Sequence, residues 1–406
     1  MIASQENSTG SVRCFSQSEY VSPSVFEQDI RLLSAQWIWV DHVSSFQQIG
    51  SYHTHQVCNE SVLLVRTETG FKAHINVCRH RGSIICTEKS GISERFVCPY
   101  HGWSYSLQGQ LLSSHGNCPG KSGTVSLRPV AVRVYEGLIF IALDAPQACQ
   151  FSVLENILDP LIPWHGLEEA KTAAEQTYLF RANWKLVVEN FLECYHCFQN
   201  HPELCSVYSH TKFTGSNDPK LGREFLLDSA QWEKRTRALG YPVGGVNSMD
   251  VTSPQYCVAF RMPIQTGFQS LSRDGAPLAP LMGRFAEFDG GETFGYVGPL
   301  LHFSLANDHA MLIQILPLSP VETQVKLTWL VDDAAIEGRD YDPAELVWLW
   351  DATVRQDRTA VERAHVGMQS RWFTPGYYAD LEVESARFAT WYRAYNASLS
   401  SSSVQR

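Results

Sequence analysis

The sequence of 406 residues lacks any apolar run of the roughly 20 residues that a membrane helix needs. Its first residues also lack the basic stretch and apolar core of a signal peptide. Basic residues are too few for a nucleic-acid surface, because 32 Lys and Arg stand against 42 Asp and Glu, a formal net charge of −10. We therefore expect a cytoplasmic, globular protein that binds neither membranes nor nucleic acids.

Cysteine is present, but a disulfide framework is not expected. Without an export signal, most of the eleven cysteines should be reduced, and a small buried side chain is the ordinary role of each. Cys194 and Cys197 form a Cys-x-x-Cys pair, a pattern that can indicate redox or zinc chemistry, the latter with a second pair at zinc-site spacing. No second pair stands at that spacing, so this interpretation is not favoured.

Two short segments each join a cysteine to a histidine. One reads Cys-Arg-His over 78–80, and the other reads Cys-Pro-Tyr-His over 98–101. Two thiolates and two imidazoles are the ligand set of a Rieske [2Fe–2S] cluster, in which two histidines replace two cysteines on one iron. The predicted cluster ligands are therefore Cys78, His80, Cys98 and His101.

A structural zinc site is the rival interpretation of these four residues. Zinc fingers place two cysteines in one pair and two histidines in the other, whereas each pair here is mixed. Gly82 and Gly102 closely follow the two histidines, as expected of loop tips that curl around a cluster and offer backbone N–H groups to its sulfurs. The spacing favours the cluster.

The residues around the cluster motif are basic, although the whole chain is acidic. Between positions 72 and 101 there are five Lys or Arg and only two Glu. Such a face is suited to an acidic ferredoxin or flavoprotein that donates electrons. An ordinary solvated loop surface explains the same residues equally well.

The length leaves room for two domains with separate cores. Short apolar segments between positions 61 and 143, separated by Gly and polar turns, predict a small antiparallel β domain around the cluster motif. We assign residues 37–155 to this domain and 156–406 to a catalytic domain with an antiparallel sheet flanked by helices. Residues 1–36 are a tail and a helix that pack with the catalytic domain, and the fold class is α+β.

Two helices are predicted in the catalytic domain. The first covers 184–199 and has Asn183 as its N-cap. The second begins at Asp342, with Pro343 at the first helical position, and runs to about Gln369.

The first of these helices carries a second set of polar residues. Glu189, Glu193 and His196 would lie on one helix face, at steps of four and three. His201 precedes Pro202, where α conformation is disfavoured, so the helix should end there and let His201 turn toward His196. Two imidazoles and a carboxylate form the facial triad of non-haem Fe(II) oxygenases, with positions open for O₂ and substrate.

Together, the motifs resemble the catalytic α subunit of a Rieske non-haem iron oxygenase over about residues 20–395. Segments 183–185, 189–190, 193–197 and 201–202 are similar to the branch that acts on choline, carnitine, glycine betaine and proline betaine. The resemblance implies a helix-grip, START-like catalytic domain with Fe(II) on His196 and His201. Ser83 and Tyr100 stand where high-potential Rieske proteins carry a disulfide, so the cluster resembles the lower-potential kind that feeds oxygenases.

The resemblance also implies roles for several carboxylates. Glu193, where most of the wider family has Asp, should connect His80 or His101 of one subunit to His196 of the next in a head-to-tail ring, commonly a homotrimer. Asp357 stands where the family places its third iron ligand. The rival ligands are Asp351, Glu362, Asp332 and Asp333. Glu189 is better explained as a capping or supporting acid than as a ligand.

The implied activity is that of a monooxygenase. A flavin- or ferredoxin-type reductase, supplied by NAD(P)H, would load the cluster, and the cluster and iron together provide the electrons that activate O₂. Hydroxylation of an N-methyl of a betaine-like amine would release formaldehyde, whereas an unactivated carbon would give an alcohol. A biosynthetic hydroxylase with a larger neutral substrate is an alternative. A Rieske electron-transfer protein without oxygenase turnover and a zinc-binding interaction module are alternatives of other classes.

A quaternary ammonium substrate is recognised by an aromatic box through cation–π contacts. The candidates near the motifs are Tyr195, Phe198, Tyr208, Phe303 and Trp372. Aromatic residues near a helix more often belong to the core, and the 255–310 region does not match a betaine pocket.

Overall fold

The computed structural model describes residues 12–114, 125–145, 148–216, 218–248, 253 and 255–403. The chain divides into two compact units, one made of Leu33–Cys149 and the other of the chain before and after that segment. The sequence placed the corresponding boundaries at 37 and 155. Among the described residues, no helix is both long and apolar enough to cross a membrane.

The smaller unit is built from antiparallel strands. Seven of its described strands form one sheet in the order β1-β10-β9-β4-β3-β2-β5, and three more form the sheet β6-β7-β8. Their bounds are β1 Ile38–His42, β2 Ser51–Val57, β3 Glu60–Thr67, β4 Gly70–Ile75, β5 Ser90–Ile92, β6 Phe96–Val97, β7 Ser104–Tyr105, β8 Leu111–Ser113, β9 Pro129–Tyr135 and β10 Leu138–Ala142. The predicted antiparallel β domain around the cluster motif is confirmed.

The larger unit is organised around a second antiparallel sheet, whose order is β11-β17-β16-β15-β14-β13-β12. The strands are β11 Ala170–Phe180, β12 Gly244–Ser248, β13 Cys257–Pro263, β14 Gly291–Val297, β15 Leu301–Leu305, β16 Ala310–Ser319 and β17 Glu322–Asp332. Central strand β16 is buried at every position from Ala310 to Leu316, as expected of a strand that is covered on both faces. A sheet flanked by helices was predicted here, and the structure confirms it.

The helices of the larger unit come from the parts of the sequence that precede and follow the smaller unit. Their bounds are α1 Gln17–Val21, α2 Pro23–Ser34, α3 Phe151–Leu158, α4 Trp184–Phe191, α5 Cys197–Asn200, α6 Pro202–Val207, α7 Ser209–Ser216, α8 Pro219–Ala238, α9 Pro343–Met368 and α10 Val383–Ser403. Helix α9 begins as predicted, because the Asp342 side chain accepts a hydrogen bond from the Ala344 N–H at 2.8 Å and Pro343 takes the first helical position.

A buried ion pair ties α2 to the rest of the larger unit. Asp29 and Lys185 are both fully buried and in contact. The Trp184 indole N–H donates to Asp29 at 2.9 Å, and the Tyr392 hydroxyl donates to it at 2.5 Å. A buried charge is tolerated when its partners satisfy it in this way. The start of the chain is therefore part of the framework that holds α4 in place.

The predicted helix over 184–199 is wrong in its extent. Helix α4 ends at Phe191, and a short non-helical segment separates it from α5. In that segment the Glu193 carboxylate accepts hydrogen bonds from the backbone N–H groups of Tyr195 and His196. Such local side-chain bonds compete with the helical backbone bonds, so the helix stops. Glu189, Glu193 and His196 consequently do not share one helix face.

Candidate active site

The two cluster loops of the smaller unit have the same backbone hydrogen bonds. In each loop the cysteine N–H donates to the carbonyl five residues later, at 2.8 Å, and the glycine four residues later donates to the cysteine carbonyl, at 3.0 Å. Gly82 and Gly102 have φ of 76° and 71°, a conformation that favours glycine. Cys78 and Cys98 are thereby buried side by side at the base of the loops.

The histidines of the two loops lie above the cysteines and are exposed. The Nδ1 atoms of His80 and His101 are 3.2 Å apart, so both rings direct the same nitrogen toward one point. His80 stacks on Trp103 with ring centroids 4.7 Å apart and planes 8° apart. His101 packs on Tyr100 with centroids 3.7 Å apart.

The four side chains fit a Rieske cluster as two pairs, because the two imidazole Nδ1 atoms face each other and the Cys78 and Cys98 side chains are in contact in a polar environment. Burial raises the pKa of the Cys98 thiol, but hydrogen bonds from the Tyr100 and His101 backbone and from the Cys78 and Ser83 side chains lower it below its ordinary value. These are the interactions expected to stabilise negative charge on cluster sulfurs.

One further residue of this site was not found from the sequence. The Tyr105 hydroxyl lies 3.2 Å from Cys78 Sγ and accepts the Arg79 N–H at 3.0 Å. Its only sequence signal is its place a few residues after the second motif. Its position is set by strand β7, which the sequence did not predict.

In the larger unit, His196, His201 and Asp357 converge. Asp357 Oδ1 lies 3.2 Å from His196 Nε2 and 2.9 Å from His201 Nε2. Asp357 and His201 are buried, and His196 is partly exposed. Among the described residues, neither His201 Nε2 nor Asp357 Oδ1 has a hydrogen-bond partner, although the two atoms are close. Buried donor atoms that face one point without bonding each other fit a metal ion there.

Neighbouring side chains orient both imidazoles. The Nδ1 of His201 is 2.8 Å from Gln356 Oε1, and the Nδ1 of His196 is 2.6 Å from Glu193 Oε1. Because Nδ1 is engaged in each ring and Nε2 faces Asp357, Nε2 is the atom placed for a metal. The Nδ2 of Asn190 also lies 3.0 Å from His196 Nε2. Gln356 was not predicted, and its position directly before Asp357 was the signal that could have identified it.

The electrostatics of the trio favour a cation. Burial lowers the pKa of His196, but its contacts with Asp357 and Glu193 raise it to about 10. Burial raises the pKa of Asp357, and the two imidazoles more than reverse that effect. Two carboxylates thus hold positive charge on the imidazole that lies between them. A divalent cation would take the place of that proton.

Cys197 is also close to this trio. Its sulfur lies within 4.8 Å of the histidine donor atoms. Contact with Cys194, followed by burial, raises the pKa of the Cys197 thiol. A raised pKa favours the neutral thiol over the thiolate that binds metals.

The rival carboxylates contact other groups. Asp351 accepts from the Tyr178 hydroxyl and Arg355, Glu362 accepts from the Arg181 N–H, and Asp332 accepts from the Ala334 N–H. Asp333 follows the end of β17, where its backbone N–H donates to Glu169. The structure therefore brings Asp357, and not these rivals, to the two histidines.

Glu189, on α4, is held by two tyrosines. It is buried and accepts hydrogen bonds from the hydroxyls of Tyr20, at 2.7 Å, and Tyr378. Burial raises its pKa to about 7, against the opposing effect of these hydrogen bonds. The expectation that Glu189 is a supporting acid agrees with these contacts.

The five candidate box aromatics occupy different environments. Tyr195, Phe198 and Trp372 are 42%, 48% and 79% exposed, whereas Tyr208 and Phe303 are buried. Within the described part of the chain, no ring contact joins any two of them. The Tyr208 hydroxyl donates to Glu292 at 2.7 Å. The structure does not assemble these five residues into one box.

A cluster-binding β unit and a two-histidine, one-carboxylate centre on a helix-flanked sheet define an iron-dependent oxygenase that receives electrons through an iron–sulfur cluster. Residues 36–129 match the family described as "Rieske [2Fe-2S] domain", and residues 167–398 match "Ring hydroxylating alpha subunit (catalytic domain)". The chain belongs to the ring-hydroxylating oxygenase α subunits with a Rieske domain. It is an oxidoreductase that carries a [2Fe–2S] cluster and Fe(II), uses O₂, and receives its electrons from a reductase.

Two similar proteins are named after quaternary amines on which they act. A glycine betaine monooxygenase oxygenase subunit from Chromohalobacter salexigens is 34% identical over 388 residues, which are 93% of this chain and 84% of that protein. A carnitine monooxygenase oxygenase subunit from Acinetobacter baumannii is 33% identical over 190 residues, 45% of this chain and 51% of that one.

A solved structure has the same fold. It is the structure of a quaternary ammonium Rieske monooxygenase, which was related to carnitine oxidation by gut microbiota and to inter-subunit electron transfer. The TM-score is 0.68 with 21% identity, over 96% of each chain.

Replacement of Tyr105 by Phe should lower the reduction potential of the cluster. The hydroxyl beside Cys78 stabilises the more negative, reduced form, and a difference of about 1 kcal/mol between the two forms corresponds to about 40 mV for one electron. Spectroelectrochemical titration measures this change. Tyr52→Phe, in the same unit, is the matched control and should leave the potential unchanged. Equal potentials for Tyr105→Phe and the unsubstituted protein would contradict the assignment.

Glu189 should make the larger unit less stable as the pH rises from about 4.5 to about 7. In this interval the unfolded carboxyl loses its proton while the folded one, with its raised pKa, keeps it. The full effect is about 3 kcal/mol, from a shift of this size at about 1.4 kcal/mol per unit.

Urea unfolding at pH 5 and pH 8 tests this expectation. Glu189→Gln should remove most of this pH dependence, and Glu27→Gln, on an exposed helix position, should retain it. The same pH dependence in both variants would show that Glu189 is not its source.

Proposed function

We propose that this oxygenase hydroxylates an N-methyl carbon of a betaine-like quaternary amine. The observation that carries the proposal is the 34% identity to a glycine betaine monooxygenase subunit across 93% of this chain. Glu193 beside His196 supports it, since the resemblance to the quaternary-ammonium branch rests on the segment that contains both. The hydroxylated N-methyl group would break down to formaldehyde and the demethylated amine.

We assign the cofactors to the residues that converge in each unit. Cys78, Cys98, His80 and His101 would hold the cluster, and His196, His201 and Asp357 would hold Fe(II). When bound, the cluster stores an electron and the iron supplies the centre at which O₂ reacts. The protein orients both imidazoles through Gln356 and Glu193, and Asn190 Nδ2 lies 3.0 Å from His196 Nε2. Two histidines and one carboxylate are three protein ligands, and a centre of this type keeps further metal positions for O₂ and substrate.

Glu193 is proposed to connect subunits of a homotrimeric ring. One carboxylate oxygen is 2.6 Å from His196 Nδ1, and the other accepts backbone N–H groups. These bonds fix the carboxylate beside the proposed iron ligand of its own subunit. At its other end the connection would reach a cluster histidine of the neighbouring subunit, and both His80 and His101 are exposed.

A flavin- or ferredoxin-type reductase is the proposed electron donor. The basic side chains near the cluster histidines are all exposed: Lys72, Arg79, Arg81, Lys89 and Arg95. Exposed positive charge around the histidine edge would attract an acidic donor. A cytoplasmic location, where such reductases are reduced by NAD(P)H, is part of this proposal.

Asp357→Ala should remove the mononuclear iron and leave the cluster intact. The variant leaves the two imidazoles without their carboxylate. Turnover should fall more than about 100-fold, because even the loss of a residue that only orients a metal ligand costs about 10- to 100-fold. Iron analysis and the visible spectrum of the cluster measure the two metal sites separately. Asp351→Ala, on the same helix, is the matched control. Normal iron content in Asp357→Ala would refute the assignment of this ligand.

Glu193→Ala should reduce turnover by about 100-fold while both metal sites stay loaded, because orientation of ligands by their partners has effects of this size. Single-turnover oxidation of the reduced cluster by O₂ and substrate measures the step. Gln199→Ala, an exposed position in the same segment, is the control. Cluster oxidation at the normal rate in Glu193→Ala would exclude the proposed connection.

The substrate class is tested with anaerobically reduced protein and a panel of glycine betaine, carnitine, choline and proline betaine. Oxygen uptake coupled to formaldehyde release by one of these amines is the expected result. Asp357→Ala should give neither signal. A normal cluster spectrum without uptake stimulated by any of the amines would reject the substrate class and indicate a hydroxylase of larger neutral substrates.

A further inference from the structure

A second group of two histidines and one carboxylate converges in the smaller unit, apart from the cluster loops. Asp41 Oδ2 lies 2.6 Å from His53 Nδ1 and 3.2 Å from His55 Nε2. The three donor atoms all lie within 4.8 Å of one another. His55 Nε2 is buried and, within the described part of the chain, has no hydrogen-bond partner.

The alternation of side chains along β2 and an irregularity in β1 explain why these three residues lie together. His53 and His55 are two residues apart in β2, so they project from the same face of the strand. Asp41 follows an irregularity in the pairing of β1 with β10, between Trp39 and Asp41. Such a bulge changes the direction in which the next side chain points.

The group is also supported by its neighbours. The other oxygen of Asp41, Oδ1, accepts the His42 backbone N–H at 2.8 Å, which fixes the carboxylate. The His53 ring lies on Phe46, with centroids 4.4 Å apart. Partners that orient a carboxylate and an imidazole are a regular feature of metal sites. The three side chains are 12–24% exposed, so an ion could reach them from solvent.

The distances resemble those of the iron trio in the same chain. There, the carboxylate oxygen lies 3.2 Å and 2.9 Å from the two imidazole nitrogens. Tetrahedral zinc with bonds of about 2.0–2.1 Å places its ligand atoms about 3.3 Å apart. The His55 distance already matches, and the His53 distance requires a small outward movement.

We propose that Asp41, His53 and His55 form a further metal site, which takes a divalent transition ion of the zinc type. Two imidazoles and one carboxylate are nitrogen-rich ligands, which suit zinc and its transition-metal neighbours better than Mg²⁺ or Ca²⁺. The fourth position would be taken by water. The proposal is independent of the substrate and of the assigned iron ligands.

The site has a structural consequence, because its ligands come from strands that are not hydrogen-bonded to each other. In the sheet order, β10, β9, β4 and β3 lie between β1 and β2. An ion bound to Asp41 and to both histidines would cross-link the two strands. Since metal that binds only the folded state stabilises it, zinc should raise the unfolding temperature of this unit.

The test uses the purified holoenzyme with both iron centres loaded. After incubation with ZnCl₂ and gel filtration, metal analysis should find one zinc per chain with unchanged iron. Asp41→Asn, which keeps the side-chain shape, and His55→Gln should retain no zinc. Gln56→Ala, an exposed neighbour in the same strand, should retain it. The visible spectrum of the cluster shows that each variant is folded.

A second measurement uses the unsubstituted protein alone. Zinc-edge X-ray absorption should show imidazole ligands with nitrogen and oxygen at about 2.0–2.1 Å. Three results would overturn the proposal: no zinc retained by the unsubstituted protein, as much zinc in Asp41→Asn and His55→Gln as in the unsubstituted protein, or zinc gained only as iron is lost. The last result would place zinc on His196 and His201 instead.

Discussion

The buried carboxylate of Asp357 is the constraint on which the larger unit depends. An ionised group inside a protein is costly unless opposite charge or donors face it. Here the two imidazoles face it, and they can do so only because α4 stops at Phe191 and the chain turns twice before α6. The long α9 presents the carboxylate from a rigid element. The break in the helix after α4 and the regular helix α9 therefore both place side chains at the same site.

Two other buried ionisable groups of the larger unit are satisfied by residues from the two ends of the chain. Asp29 from α2 meets Lys185, and Glu189 is held between Tyr20 and Tyr378. Both contacts fall on α4, the helix that leads into the histidine segment. Residues of the amino- and carboxyl-terminal segments thus hold α4 in place through an ion pair and hydrogen bonds. This explains why a chain start that contributes no predicted ligand is packed into the larger unit.

Much of this could be predicted from sequence because most of the proposed ligand residues are close together in the chain. The cluster motifs and the His196 and His201 pair are read within a few residues, and turns at Gly82, Gly102 and Pro202 have local causes. Asp357 required family resemblance, because nothing near it in sequence distinguishes it from Asp351. The helix over 184–199 was overextended, since helical spacing does not reveal that the Glu193 side chain competes for backbone N–H groups.

Contacts between residues that are far apart along the chain also could not be predicted from the sequence. Tyr105 and Gln356 reach their partners through strand pairing and helix docking, which no local pattern records. Asp41 meets His53 and His55 through an irregularity in β1 and through contact with β2, a strand to which β1 is not hydrogen-bonded. A His-x-His pair on a strand is too common a pattern to indicate a site until a third donor is seen beside it.

The two cluster loops also depend on each other. Their backbone turns are alike, yet the histidine is the third residue of one motif and the fourth of the other, so the two rings are not interchangeable. The His80 ring of the first loop rests on Trp103 at the end of the second, and Tyr105 beyond the second loop reaches back to Cys78. Neither loop is a complete half-site. Because each loop supplies a contact on which a ligand residue of the other depends, a change in the conformation of one loop would also disturb the other.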